Sequence, residues 1–327
     1  MVSSERLDKN VSIVLDLAVH LHVRDMLELF TTFINRGRGA GNYEPDILGE
    51  TCALSFEKQT EPLVSIIIPA FNQWEYTRSC LVSILRNTAD VPHEIILADD
   101  TSTDETKRAG DLVSGITVIR NERNLGFIRN CNNAASRGAG KYLLFLNNDV
   151  IVREGWLKPL VELLERDPAA GMAGPKLVYP NGLLQDAGAI VWSDGNAWNY
   201  GRWDNPDKTK YNYAREADYV SGACMLVRRD LWEDIGGFDL RYAPAYYEDT
   251  DLAFEIRSRG YKVLYQPKSA VVHFEGITSG LDIRKGVKSF QEVNREKFFR
   301  KWEAILKKEH FRPGHVHCAV RSKGSEW

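Results

Sequence analysis

The chain lacks several features that mark large protein classes. Its 327 residues carry a net charge of only −3, from 42 Lys+Arg against 45 Asp+Glu. No overall basic field is present of the kind that drives nonspecific nucleic-acid binding, so we expect no nucleic-acid partner. Five scattered cysteines without a CxxC pair predict neither a disulfide framework nor a structural zinc site, and they suit a reducing compartment.

Long apolar runs are also missing. The most apolar segments, residues 64–69 and 142–146, have the length of strands and fall far short of the roughly 20 residues that a membrane helix needs. Residues 1–10 are polar and charged, and we expect no signal peptide. The sequence therefore predicts a cytoplasmic protein, at most peripheral at the inner face of the cytoplasmic membrane.

Glycine-rich phosphate loops are absent after the first strand of the main domain, which argues against a Rossmann dinucleotide site and a P-loop. What is present is an alternation of strand and helix patterns. A capping box of Ser102 and Glu105 predicts one helix start. Such alternation predicts an α/β domain with a mostly parallel sheet between helices. The strand patterns cover residues 64–68, 94–98, 116–119, 142–146 and 172–178, and the helical ones 74–87, 127–137 and 156–165.

The patterning divides the chain into three parts. Residues 1–60 combine a helical extension with a linker, 61–280 form the main domain, and 281–327 form a basic helical tail. Apolar residues recur through that tail among an excess of lysine and arginine. The tail either packs its apolar stripe on the core or approaches anionic lipid as an amphipathic helix.

Polar residues follow three of the predicted strands, at positions 69–72, 99–100 and 147–149. In open α/β sheets ligands bind beyond the carboxyl ends of the strands, so these residues should meet in one cleft. Carboxylates at that place suit a divalent cation that bridges to a substrate diphosphate.

In their order these segments resemble the motifs of inverting family-2 glycosyltransferases with the GT-A fold, in particular the bacterial surface-polysaccharide and rhamnosyl-type enzymes. The resemblance spans about residues 62–280, with a nucleotide-binding half at 62–150 and an acceptor-binding half at 151–280. It implies a GT-A fold with helical extensions at both ends. The matching runs are VSIIIPAFN from Val64, ADDTSTD from Ala98, NLGF from Asn124, LNND from Leu146, SGAC from Ser221, GGFD from Gly236, EDTD from Glu248 and HFEG from His273.

The resemblance implies that Asp100 hydrogen-bonds the nucleotide base, with Asp99 in support. The remaining implied nucleotide-binding residues are Pro69, Ala70, Phe71, Asn124 and Asn148. The alternative for Asp100 is a cap on the helix predicted from residue 103, although Ser102 already suits that role.

The resemblance also implies a metal site, which departs from the family's Asp-x-Asp because Asn147 replaces the first acid. Asp149 would be the main ligand, with Asn147 as a neutral ligand or ribose contact and His273 as a further ligand. One carboxylate, phosphate oxygens and water can fill the shell of Mg²⁺ or Mn²⁺, and an imidazole suits Mn²⁺ better. The alternatives are a polar turn after a strand and a structural histidine.

For catalysis, Asp249 matches the base that takes the acceptor's hydroxyl proton, while Glu248 contacts the acceptor or orients the loop. The implied acceptor and sugar pocket comprises Gln185, Asp186, Ser221, Gly222 and Ala223.

The function expected is inverting transfer of a sugar from a UDP- or dTDP-sugar to a carbohydrate or lipid-linked glycan acceptor, with Mn²⁺ or Mg²⁺ as cofactor. Two alternatives stay open. A sugar nucleotidyltransferase would build a similar site, but it usually carries a glycine-rich, basic loop where this chain has residues 69–72. A catalytically inactive sugar-binding relative is suggested by Asn147.

Overall fold

The computed structural model describes residues 54–277 and 286–321. The predicted extension at 1–60 lies almost wholly outside them. The strands are β1 Leu54–Ser55, β2 Val64–Ala70, β3 His93–Asp99, β4 Val113–Ser114, β5 Thr117–Arg120, β6 Tyr142–Leu146, β7 Val150–Val152, β8 Ala170–Val178, β9 Leu184–Asp186, β10 Ile190–Val191, β11 Ala197–Trp198, β12 Arg215–Glu216, β13 Cys224–Arg228 and β14 Lys262–His273. The helices are α1 Trp74–Asn87, α2 Ala109–Leu112, α3 Phe127–Ala135, α4 Lys158–Arg166, α5 Arg229–Ile235, α6 Glu248–Ser258, α7 Phe290–Glu309 and α8 Val316–Arg321.

A ten-stranded sheet organises the domain in the order β12-β14-β8-β13-β6-β2-β3-β5, with β7 on β14 and β9 on β8. Strands β5, β3, β2 and β6 run parallel, as predicted. Strand β13 lies antiparallel between β6 and β8. The α/β fold is confirmed, but the sheet is mixed beyond β6, where the strand and helix alternation of the sequence also weakens.

Two helical layers bury the faces of this sheet. Ile66 and Ile68 of β2 point into the layer of α1 and α4, whereas Ile67 points into the layer of α3, α5, α6 and α7. Successive side chains of a strand alternate between faces, and every residue of β2 is buried. A continuous apolar run therefore forms a strand at the centre of the sheet, and its carboxyl end is fixed in position.

The capping box expected at Ser102 and Glu105 is wrong. Asp104 caps instead, because its Oδ1 accepts from the Thr106 N–H at 3.0 Å, and a 3₁₀ turn precedes α2. The Ser102 hydroxyl is buried and accepts from the backbone N–H of Asn72 at 2.7 Å. Ser102 thus ties together the loops that follow β2 and β3.

The described part of the basic tail belongs to the domain. Helix α7 buries Phe298, Trp302 and Leu306 in the layer that also holds α6. This is the core-packing alternative of the two that the sequence left open, and it leaves that apolar stripe unavailable to lipid. Within residues 54–277 and 286–321, every helix is too short or too polar to span a bilayer.

Candidate active site

A cleft of about 490 Å³ opens at the carboxyl ends of β2, β3 and β6. Residues from both halves of the domain line it, so the structure brings together most of the residues predicted from sequence. The predicted residues that line it are Pro69, Ala70, Phe71, Asp100, Asn124, Asn147, Asn148, Asp149, Ser221, Gly222, Ala223, Glu248, Asp249 and His273. Asp99, Gln185 and Asp186 lie behind its walls.

Asp100 is only 4% exposed and anchors the turn that forms one side of the cleft. Its Oδ1 accepts from the Leu125 N–H at 2.7 Å and from the Asn121 amide at 2.9 Å. Its Oδ2 accepts from the Gly126 N–H at 2.9 Å. A carboxylate offers about four acceptor positions, so roughly one remains for a ligand. The helix-cap alternative does not apply, because Asp104 holds that position.

Asp99 acts one step behind Asp100. Its carboxylate is fully buried, pairs with Arg120 and accepts from the Ser102 N–H at 2.8 Å. Thr101, which follows the two acids, has a φ of 68°, a left-handed conformation that a β-branched residue rarely adopts. The contacts of Asp99 hold this strained turn, and they support a positioning role rather than a contact with nucleotide.

His273 and Asp149 meet in the cleft because β14 and β7 pair antiparallel with His273 opposite Val150. The Nε2 atom of His273 lies 3.3 Å from Oδ1 of Asp149, and Nδ1 lies 3.0 Å from the amide oxygen of Gln185. The Gln185 amide nitrogen donates to Glu275 at 3.2 Å, which directs its oxygen toward the imidazole. Nδ1 therefore carries a proton, and Nε2 faces Asp149.

Electrostatics reinforce this pair. Burial alone would lower the pKa of His273, but the negative charges of Asp149 and Glu275 outweigh burial and raise it. Gln185, predicted as a sugar contact, is buried and hydrogen-bonded to the imidazole of His273.

The residues present fit a divalent cation with two protein ligands. In the described part of the chain, Asp149 Oδ1 is buried and accepts no hydrogen bond. A carboxylate oxygen and an imidazole nitrogen are both ligands that suit Mn²⁺. Neighbouring ligands of an octahedral ion lie about 3.0 Å apart for bonds of about 2.1 Å, close to the separation seen here. Among residues 54–277 and 286–321, no three acidic, histidine or cysteine side chains cluster as a complete set. Phosphate oxygens and water would have to complete the shell.

The amides beside Asp149 take different positions. Asn148 donates to the Thr77 hydroxyl at 2.9 Å, which fixes its amide against α1. Asn147 lines the cleft, and its backbone N–H bonds to Ala223 across the β6–β13 junction. Both asparagines line the cleft, and the amide of Asn148 is engaged by Thr77.

Asp249 lines the same cleft from the first turn of α6. Its Oδ2 accepts from the Gly222 N–H at 2.9 Å, and its Oδ1 accepts from the Thr250 N–H at 2.6 Å and the Thr250 hydroxyl at 3.1 Å. Burial raises the pKa of Asp249 above its usual value, although these hydrogen bonds oppose the shift. A carboxylate held in place with a raised pKa is suited to accept a proton.

Glu248 is the buried acid that precedes Asp249 in the same turn. It is 6% exposed, and within the described residues its Oε2 has no hydrogen-bond partner. Burial and the charge of Asp249 raise the pKa of Glu248 well above its usual value. In an adjacent pair of carboxyl groups, one can serve as a base while the other, when protonated, donates a hydrogen bond.

The turn that presents these acids is strained. Tyr246 and Tyr247 have φ angles of 76° and 72°, in the left-handed region that bulky residues avoid. The Tyr247 hydroxyl donates to the Gly195 carbonyl at 3.0 Å, and its ring packs on Phe298 at 5.3 Å. Strain of this kind persists where the surroundings hold it, often at functional sites.

Sequence reasoning missed three charged residues of the cleft: Arg202, Glu275 and Lys288. Arg202 pairs with Glu275 at 2.9 Å, and the ammonium of Lys288 lies 4.6 Å from the centre of the Tyr246 ring. Burial lowers the pKa of Lys288. Glu275 belongs to the HFEG run that starts at His273, and Lys288 belongs to the basic tail, so the sequence carried a signal for both. No local sequence pattern marks Arg202.

Asp186 lies behind the wall. It is fully buried, and burial raises its pKa to about 7 against the opposing charge of Arg215. Its burial and its place outside the cleft lining do not support the predicted contact with sugar.

The family described as Glycosyl transferase family 2 matches residues 65–236, slightly more than half of the chain. An uncharacterized protein of Sinorhizobium fredii is 29% identical over 234 residues, which cover 67% of this chain and 25% of that protein. The O-antigen biosynthesis protein RfbC of Myxococcus xanthus is 29% identical over 231 residues, covering 68% and 18%. The chain thus matches a quarter or less of the length of these two relatives.

An N-acetylglucosaminyl-diphospho-decaprenol L-rhamnosyltransferase of Mycobacterium tuberculosis is 28% identical over 214 residues, covering 58% of this chain and 69% of that enzyme. Among solved structures, GalNAc-T7 with UDP, GalNAc and Mn²⁺ superposes with a TM-score of 0.59 at 19% identity, over 75% of this chain and 49% of that one. This likeness concerns the fold, and it confirms the predicted GT-A class.

Proposed function

Because the chain belongs to glycosyl transferase family 2, we propose that it is an inverting glycosyltransferase. It would move one sugar from a UDP- or dTDP-sugar to a carbohydrate or lipid-linked glycan acceptor. One observation carries this proposal: a single cleft is lined by Asp249 together with Asp100, Asp149 and His273. The names of the relatives, an O-antigen biosynthesis protein and a rhamnosyltransferase that acts on a lipid-linked sugar, favour an acceptor of that class.

The donor nucleotide binds against the carboxyl ends of β2 and β3. Asp100 keeps about one acceptor position for an N–H group of the base, and residues 69–71 line the same side. UDP in the structure of GalNAc-T7 is consistent with a uracil or thymine base.

The diphosphate lies toward Asp149 and His273, which would hold Mn²⁺ or Mg²⁺ as the sequence predicts. When bound, such a cation stabilises the negative charge of the departing diphosphate. Lys288 brings further positive charge to the cleft, whereas the charge of Arg202 is paired with that of Glu275. Lys288 supplies attraction for the diphosphate that does not depend on the replaced first acid at Asn147.

Asp249 takes the proton of the acceptor hydroxyl while the acceptor oxygen bonds to the anomeric carbon and the bond from that carbon to the diphosphate breaks. Gly222 and Thr250 hold the carboxylate for this step. Burial and the charge of Asp249 raise the pKa of Glu248, which favours its protonated form, and in that form it would donate a hydrogen bond to a sugar hydroxyl. A single displacement with one base inverts the anomeric configuration.

The test is a panel of UDP- and dTDP-sugars incubated with the protein and Mn²⁺, with release of the nucleoside diphosphate as readout and EDTA as control. The proposal predicts slow hydrolysis of one donor by water that EDTA stops. Pyrophosphate release from a nucleoside triphosphate and a sugar 1-phosphate would instead identify a nucleotidyltransferase. Nucleotide binding without any release would identify an inactive relative, and either outcome contradicts the proposal.

A further inference from the structure

The strained turn at residues 242–247, just before α6, is hydrogen-bonded by one side chain of α7, that of Asn294. Asn294 is fully buried and does not line the cleft. Its amide nitrogen lies 2.6 Å from the carbonyl oxygen of Tyr242, 2.8 Å from that of Ala245 and 3.0 Å from that of Tyr246. The amide has two hydrogens for three acceptors, so one hydrogen is shared.

These carbonyls belong to the turn whose conformation aims the two acids. Tyr246 and Tyr247 are left-handed, and Glu248 and Asp249 follow at once. Backbone carbonyls that a packed helix shields from water need hydrogen-bond donors from the protein. The Asn294 amide is the donor that α7 provides to Tyr242, Ala245 and Tyr246.

The orientation of the amide is fixed from its other end. The ammonium of Lys297 donates to Oδ1 of Asn294 at 2.9 Å and to the carbonyl of Arg241 at 2.7 Å. The oxygen of Asn294 therefore faces a cation, and its nitrogen faces the three carbonyls. A carboxylate at this position keeps the shape but cannot donate to any of them.

The rest of α7 holds the first turn of α6 on the same side. The ammonium of Lys301 lies 2.7 Å from Oδ2 of Asp251, and the Trp302 indole donates to Oδ1 at 2.7 Å. The Tyr242 hydroxyl donates to the same Oδ1 at 2.9 Å. Helix α7 thus contacts the turn, the tyrosines and the start of α6, although it lies beyond residues 65–236 that match the family.

We propose that Asn294 is a positioning residue that sets Glu248 and Asp249 for reaction by holding the 242–246 carbonyls, so that helix α7 is part of the catalytic apparatus. The proposal rests on the proposed role of Asp249 as base. The dependence of the turn's conformation on the Asn294 amide can be tested without reference to that catalytic role.

The test compares Asn294→Asp with Arg300→Gln, which changes the net charge equally at an exposed position of the same helix. Two quantities are measured: donor hydrolysis across the UDP- and dTDP-sugar panel, and hydrogen exchange of residues 242–250. We expect Asn294→Asp to lower kcat about ten- to a hundredfold with the donor KM within twofold, because small displacements of a catalytic group are costly. Exchange in 242–250 should rise at least tenfold, and Arg300→Gln should match the wild type.

Wild-type exchange and an unchanged kcat in Asn294→Asp would overturn the proposal, as would equal losses in both variants. If the wild type hydrolyses no donor, the proposed function fails and the exchange result alone judges the turn. If Asn294→Asp does not fold, hydrogen exchange of the wild-type protein in low denaturant tests whether the turn depends on α7. Residues 242–250 should open together with 290–309, and opening of α7 while the turn stays closed would overturn the proposal.

Discussion

The imidazole of His273 and the carboxylate of Asp149 are brought within 3.3 Å by the register of β14 against β7. Gln185 and Glu275 fix the imidazole from behind, so Nε2 faces the carboxylate. Both donor atoms are placed before any ligand arrives. A cation that binds here therefore requires little rearrangement of the protein.

Gln185 should act on the cation through His273. We expect Gln185→Leu to weaken Mn²⁺ binding in the presence of UDP about tenfold, since partners of metal-binding histidines typically contribute 10–100-fold. Isothermal titration of Mn²⁺ measures this, with Asp149→Asn as the variant that should bind least. Unchanged Mn²⁺ affinity in Gln185→Leu would return Gln185 to the sugar-contact role predicted from sequence.

Lys288 should contribute to diphosphate binding by its charge. Lys288→Met keeps the length of the side chain and removes the charge, and we expect the Kd for UDP to rise about tenfold, with a smaller difference at high salt. Lys308→Met, at a position 81% exposed in α7, is the matched control. Equal UDP affinity in wild type and Lys288→Met would remove this residue from the site.

Donor turnover should fall on the acid side through protonation of Asp249. A protonated carboxyl cannot accept a proton. Because burial raises the pKa of Asp249, the midpoint of this acid limb should lie at a pH above the usual aspartate pKa of about 3.9. The titratable groups near it are Glu248 and Asp186, whose pKa values are raised as well, and Lys288. Thr250→Val removes a hydrogen bond that lowers the pKa, so the acid limb of kcat should move to higher pH. A limb that stays in place or moves down would contradict the assignment.

Asp186 should make stability depend on pH. Its pKa is about 7 in the folded chain and about 3.9 when unfolded, so the folded state binds the proton more tightly. Its contribution is full below the unfolded pKa and is lost as pH rises through 7. Urea unfolding should show a loss of about 1 kcal/mol between pH 6 and pH 7 that Asp186→Asn lacks. Parallel pH profiles of the two proteins would show that Asp186 is ionised throughout.

Local patterns predicted the parts of the molecule that local forces determine. The apolar run at Tyr142–Leu146 forms β6 with those bounds, and polar residues at the strand ends meet in one cleft as expected. Ser102 carries a capping signal as good as that of Asp104, and only the contact with Asn72 decides between them.

Contacts between distant segments were beyond reach of the sequence pattern. Gln185 supports His273, and Asn294 supports a turn about 50 residues earlier, each through side-chain hydrogen bonds that leave no periodicity in the sequence. The antiparallel course of β13 follows from its partners β6 and β8, since a short apolar strand has no direction of its own. Such features depend on tertiary structure and not on local preference.

The most direct test of the account is donor turnover by Asp249→Asn, with the anomeric configuration of the sugar first released by the wild type followed by NMR. The account predicts inversion in the wild type, a loss of turnover of at least about a hundredfold in Asp249→Asn, and UDP affinity within twofold of wild type. Retention of configuration, or turnover by Asp249→Asn at the wild-type rate, would contradict it.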